Sequence, residues 1–114
     1  MYKWKVFCSP FRNANRVFPT QQQDVATIVR VCAGSLGLHR IVIFGSSVTP
    51  LCNPWSDIDV YFEAEDGWIP PVFDTVAAVD CWTTATVDRE LLDEIFRTGV
   101  IVYEVGDPIG ASIQ

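Results

Sequence analysis

Two apolar runs joined by a short polar connection constrain this chain more than anything else in it. Ile41-Val42-Ile43-Phe44 is rich in β-branched residues and reads as a buried strand. Gly45-Ser46 ends it, and a polar connection marked by Pro50 and Pro54 follows. The second run opens as Asp57-Ile58-Asp59-Val60-Tyr61-Phe62. Strand side chains alternate faces, so Asp57 and Asp59 share one face while Ile58 and Val60 point toward a core. Two neighbouring carboxylates repel each other unless a cation sits between them. Mg²⁺, a hard ion held by one or two carboxylates plus phosphate oxygens, suits such a pair. Gly45 allows a ligand close to the backbone, and Ser46 offers a hydroxyl and an N–H. A short helix over residues 47–51 would turn further N–H groups toward the same anion.

The pattern of Gly45-Ser46, about ten residues, then Asp57-Ile58-Asp59 with Ser56 before it resembles the small "minimal" nucleotidyltransferases of the DNA polymerase β superfamily. The likeness runs over roughly residues 20–105. Val79-Asp80-Cys81-Trp82 looks like that family's strand with the third carboxylate, and residues 91–104 like its closing helix and strand. The resemblance implies an α/β (α+β) domain of polymerase β-like fold, with a mixed β-sheet and helices mainly on one face. It implies that Asp57, Asp59 and Asp80 are catalytic and hold Mg²⁺, two ions in all. Gly45, Ser46, Ser47 and Ser56 would hold the phosphates of ATP or another nucleoside triphosphate. It further implies transfer of a nucleoside monophosphate to an acceptor hydroxyl, with a helical HEPN-like toxin as protein partner in a toxin–antitoxin pair. A nucleotidyltransferase-fold module that neutralises its partner by binding alone is the alternative. The chain departs from the family where arginines are usual after Gly-Ser: it has Ser47, Thr49 and Pro50 there.

At 114 residues one domain is expected, with residues 1–19 as an N-terminal extension, 20–105 as the core and 106–114 as a loose tail. A net charge of −6 argues against direct DNA binding, which asks for a basic surface. It suits a basic protein partner. Cys8, Cys32, Cys52 and Cys81 form no C-x-x-C pair, and His39 is the lone histidine, so a zinc site is not expected. Buried free thiols at Cys32 and Cys81 fit a reducing, cytoplasmic setting. No long apolar run at the N-terminus suggests a signal peptide or membrane span.

Residues 2–7 alternate aromatic and lysine, which predicts an edge strand. The segment after it covers a sheet edge, meets a partner or packs on the domain itself. Thr20 and Gln23 form a capping-box pattern, and Val25, Ile28, Val29, Cys32 and Leu36 continue at helical spacing toward Gly37 as C-cap. Arg40, opening the first strand, can reach a phosphate or a surface carboxylate. Pro70-Pro71 excludes a helix from the connection after Glu63, leaving one sheet face short of cover. Residues 76–85 read as a third strand with Asp80 in its middle. Asp88 caps a helix whose apolar face is Leu91, Leu92, Ile95 and Phe96. Gly99 ends that helix, and residues 100–105 form a final strand.

Overall fold

The alternation in the first two strands sorts their side chains to two faces, and both faces are covered. The computed structural model describes residues 2–108. Strand β1 (Leu38–Phe44) pairs antiparallel with β2 (Ile58–Ala64) on one side and with β4 (Val100–Glu104) on the other. β3 (Val79–Thr83) joins β2 in parallel, giving the order β3-β2-β1-β4. The result is a four-stranded mixed sheet with two helices, α1 (Pro19–Cys32) and α2 (Arg89–Thr98). The Cα radius of gyration is 13.0 Å, that of one compact domain of this length. Among the described residues no helix is long and apolar enough to cross a membrane.

Ile41, Ile43, Ile58, Val60 and Phe62 face α1 and pack with Val25, Ile28, Val29 and Cys32 in the larger core. Val42, Phe44 and Tyr61 point the other way and meet Ile95 of α2, with Leu91 and Leu92 alongside. The two helices therefore lie on opposite faces, not mainly on one. The reason is topological. α2 joins β3 at one edge to β4 at the other, so it has to cross the sheet, and the α1 face is already filled.

The capping-box reading of Thr20 does not hold. Helix α1 begins two residues earlier, with Phe18 at the N-cap and Pro19 as its first residue, where a proline's missing N–H costs nothing. It also ends sooner than its spacing predicts. Ala33 is the C-cap, Gly34 takes the left-handed conformation (φ 79°), and Leu36 is 96% exposed. Asp88 caps α2 as expected, accepting a hydrogen bond from the Leu91 amide at 2.8 Å. Of that helix's four predicted apolar residues only Ile95 is buried, and Phe96 is exposed. Gly99 does follow α2, but without positive φ. A Cβ there would stand 2.6 Å from Val42 Cγ1 and 2.5 Å from the Ile95 carbonyl oxygen. Gly99 is thus required for close approach of helix and strand.

Residues 2–7 are not a strand. They are tied across α1 by Gln22, whose Nε2 donates to the Lys5 carbonyl and whose Oε1 accepts from the Phe7 amide. The connection after β2 fills the gap that the absence of a helix leaves. Phe73 stacks on Phe62 and Trp68 packs against it at a tilt, and the buried Asp24 of α1 accepts the amides of Val76 and Ala77 at 2.9 Å each. Both cysteine sites hold free thiols, with Cys32 buried but Cys81 exposed, because β3 is an edge strand. His39 lies exposed, 3.5 Å from Glu65, and Arg40 pairs with Glu63 and Glu104 at 3.9 and 3.7 Å. Within the predicted tail, Asp107 accepts two hydrogen bonds from Arg12; residues 109–114 lie outside the described residues.

Candidate functional site

The register of the sheet decides what meets at its end. Phe44 is paired with Asp59 across β1 and β2, so the turn that follows Phe44 is delivered beside the Asp59 carboxylate. Gly45 takes φ 75° there, a conformation that L side chains rarely adopt. A Cβ at this position would also collide with Asp59 Oδ2. Two separate constraints, backbone conformation and space, therefore require glycine. Residues Gly45–Val48 make one turn of 3-10 helix, shorter than the helix expected over 47–51. Its end is tied off by Thr49, whose amide and hydroxyl both donate to the Ser46 carbonyl.

On the other side of Asp59, the parallel register pairs it with Asp80. Partners in register carry their side chains on the same face, so these two carboxylates stand side by side on the α2 face. Asp57 precedes β2 by one residue and is exposed. The Asp59 carboxyl is pushed up from the ordinary range, first by burial, then by the negative charges of Asp80 and Asp57. Among the described residues no three His, Cys, Asp or Glu side chains gather into a set that holds a metal ion. The donor set that the fold does align is the pair Asp59 and Asp80.

A cleft of about 750 Å³ opens on this face, in the size range of small-molecule sites. Gly45, Ser46 and Asp59 form one wall, Trp82 and α2 another. The other predicted site residues, Asp57, Asp80, Ser47 and Ser56, do not line it. Ser47 is buried with its Oγ unpartnered, and its carbonyl accepts the Phe18 amide at 2.7 Å. Ser56 is engaged in its own loop: its Oγ accepts the Asn53 amide and its carbonyl accepts from Gln21 Nε2. Both residues fix the loop between β1 and β2.

The cleft also contains residues that sequence reasoning did not connect to it. Tyr2 and Arg16 come from the N-terminal extension, and Glu94 and Arg97 from α2. For Arg97 and Glu94 a signal exists, since they lie one turn beyond the apolar face of an amphipathic helix. For Arg16 the available signal is a cation set among Ala14, Val17 and Phe18. Compared with known protein-family models, curated proteins and solved structures, the chain matches none.

Proposed function

We propose that this protein is a nucleotidyltransferase that moves AMP, or another nucleoside monophosphate, from a triphosphate to a hydroxyl on a partner protein. The single observation that carries the reading is Gly45 seated against the Asp59 carboxylate at the rim of a ligand-sized cleft, with Asp80 in register beside it. This is a phosphate-approach turn and a carboxylate pair at one sheet end, and it holds the Gly-Ser turn, the second Asp of the Asp-x-Asp motif and the third carboxylate of the resemblance to minimal nucleotidyltransferases.

The chain's own groups have separable roles. Gly45 lets the turn lie directly against the Asp59 carboxylate, so that a phosphate held by the turn would stand beside a cation held by Asp59, and Ser46 offers its hydroxyl and N–H to the β- and γ-phosphates. Asp59 and Asp80 are hard oxygen donors, fitting Mg²⁺ with the remaining ligands drawn from phosphate and water. When bound, Mg²⁺ supplies the charge neutralisation that phosphoryl transfer needs. Asp80, exposed at its strand edge, is open to the acceptor and takes the proton of the attacking hydroxyl. The new O–P bond forms at the α-phosphorus, the bond to the bridging oxygen breaks, and pyrophosphate leaves. Trp82 and Phe44, whose rings lie 5.4 Å apart, give the cleft an apolar wall for a base. The acidic surface favours a basic acceptor such as a HEPN-like toxin.

A second reading, a module that neutralises its partner by binding without catalysis, is favoured by one observation. Leu51 and Trp55, 83% and 89% exposed, form an apolar edge on the loop beside the cleft. One experiment separates the two: labelled ATP, Mg²⁺ and the partner, with wild type and Asp59→Asn. The enzyme reading expects label on the partner and a loss on the order of 10³-fold in the variant. Equal complex formation by both proteins, with no label transferred by either, selects the binding module instead.

A further inference from the structure

The triphosphate's charge needs a cation, and the loop after Gly45 contains none. We infer that Arg16, from the N-terminal extension, is the cation that grips a polyphosphate in this cleft. The inference rests on the nucleotide reading of the same cleft. It adds a residue and a segment lying outside the stretch that carries the resemblance.

Three observations converge on Arg16. First, its position is built. Residues Ala14–Arg16 form a turn of 3-10 helix that starts from Asn13 in the left-handed conformation (φ 59°). Asn13 Nδ2 donates to the Ile101 carbonyl at 2.8 Å, which fastens the turn to β4. Val17 is fully buried, and the Phe18 amide is bonded to the Ser47 carbonyl. Arg16 is therefore held between the sheet and the Gly45–Val48 turn itself.

Second, Arg16 lines the cleft that also contains Gly45, Ser46 and Asp59. Third, its Nε is buried and has no hydrogen-bond partner. A buried donor without a partner is costly, more so when charged. The cost is conspicuous in a chain with 14 acidic residues against 8 basic ones. The ion pairs of arginine among the described residues are those of Arg12, Arg40 and Arg97. Of the two arginines among the described residues that line the cleft, Arg97 leans on Glu94 at 3.9 Å, whereas Arg16 has no ion pair and its Nε has no hydrogen-bond partner.

A guanidinium presents paired N–H donors that match two oxygens of a phosphate, better than an ammonium does. The ligand class is thus a phosphate-bearing anion, and the cleft's apolar wall gives room for an attached base. Asp59 and Glu94 in the same cleft repel an anion, which makes a cation at Arg16 more necessary for binding.

The test is calorimetric titration of wild type, Arg16→Ala, Arg16→Met and Arg16→Lys. The probes are ATP, inorganic tripolyphosphate and adenosine, each with and without Mg²⁺. The expected result is that Arg16→Ala weakens ATP and tripolyphosphate about ten- to a hundredfold and leaves adenosine unchanged. Arg16→Lys should restore only part of the loss. Arg16→Met keeps the packed stem without the charge and carries the same expectation if the alanine variant fails to fold. Tripolyphosphate binding equal to wild type in the folded Arg16→Met variant overturns the inference, as does failure of wild type to bind either phosphate probe. The outcomes also separate this inference from the enzyme reading. Arg16-dependent binding of tripolyphosphate without label transfer sinks the enzyme and keeps the grip. Transfer with an unchanged KM for ATP in Arg16→Met does the reverse.

Discussion

The two faces of the sheet are made by the same strands and do opposite work. On the α1 face, Ile41, Ile43, Ile58, Val60 and Phe62 are fully buried, and the helix, the N-terminal segment and the connection after β2 close over them. On the α2 face, Val42, Phe44 and Tyr61 share the surface with Asp59 and meet a helix that buries only Ile95. One face removes apolar surface from water and holds the fold. The other spends its positions on carboxylates and leaves a cleft open. The period of two in β1 and β2 thus separates stability from chemistry residue by residue.

Deleting side chains from each face tests that division. Ile43→Ala on the α1 face should cost about 2–5 kcal/mol, measured by urea unfolding. Leu92→Ala on the half-buried α2 face should cost less than about 1.5 kcal/mol, because less apolar area returns to water. Equal costs would erase the distinction. An effect between these two is expected where the faces meet a helix end. Gly99→Ala forces a methyl against Val42 and the Ile95 carbonyl, and should destabilise by about 1–3 kcal/mol in the same assay. A neutral result there would mean that α2 shifts freely and that the cleft it lines is not a fixed shape.

The smallest effect is electrostatic. Asp59 has its folded-state pKa raised by burial, Asp80 and Asp57. The folded protein therefore holds this proton more tightly than the unfolded chain does. Stability is greater below the ordinary carboxylate pKa and falls as pH rises through that value to the raised one. Asp59→Asn removes this penalty. Without metal, the variant should be more stable than wild type at neutral pH, and the difference should shrink in acid. Unfolding curves across pH 3 to 8 read the effect; an Asn variant less stable than wild type at pH 7 contradicts the carboxylate crowding.

Much of this was legible from residue order. The β-branched run Ile41–Phe44 marks β1, the alternation around Asp59 marks β2, and Asp88 marks the start of α2, since apolar runs, a period of two and a cap are local properties. The positions of Gly45, Asp59 and Asp80 at one sheet end followed from the motif, and the registers of β1–β2 and β2–β3 account for it. What was not legible depends on which elements are neighbours. The face taken by α2 follows from β3 and β4 lying at opposite edges, which no local pattern encodes. The same edge position exposes Cys81, although most of its strand neighbours are apolar. Gly34 and Gly37 both offer a helix stop, and the helix ends at the first, with Ala33 as C-cap and Gly34 left-handed directly after it. Arg16 sits in a segment without periodicity, so nothing short of the fold brings it beside Gly45.

The most direct test of the account is amide chemical-shift mapping with ATP and Mg²⁺ on the ¹⁵N-labelled protein. The account predicts perturbations gathered at Gly45, Ser46, Asp59, Trp82, Arg16 and the α2 residues that line the cleft, with α1 residues such as Ile28 and Val29 unmoved. Perturbations centred on the α1 face, or none at millimolar nucleotide, would contradict it.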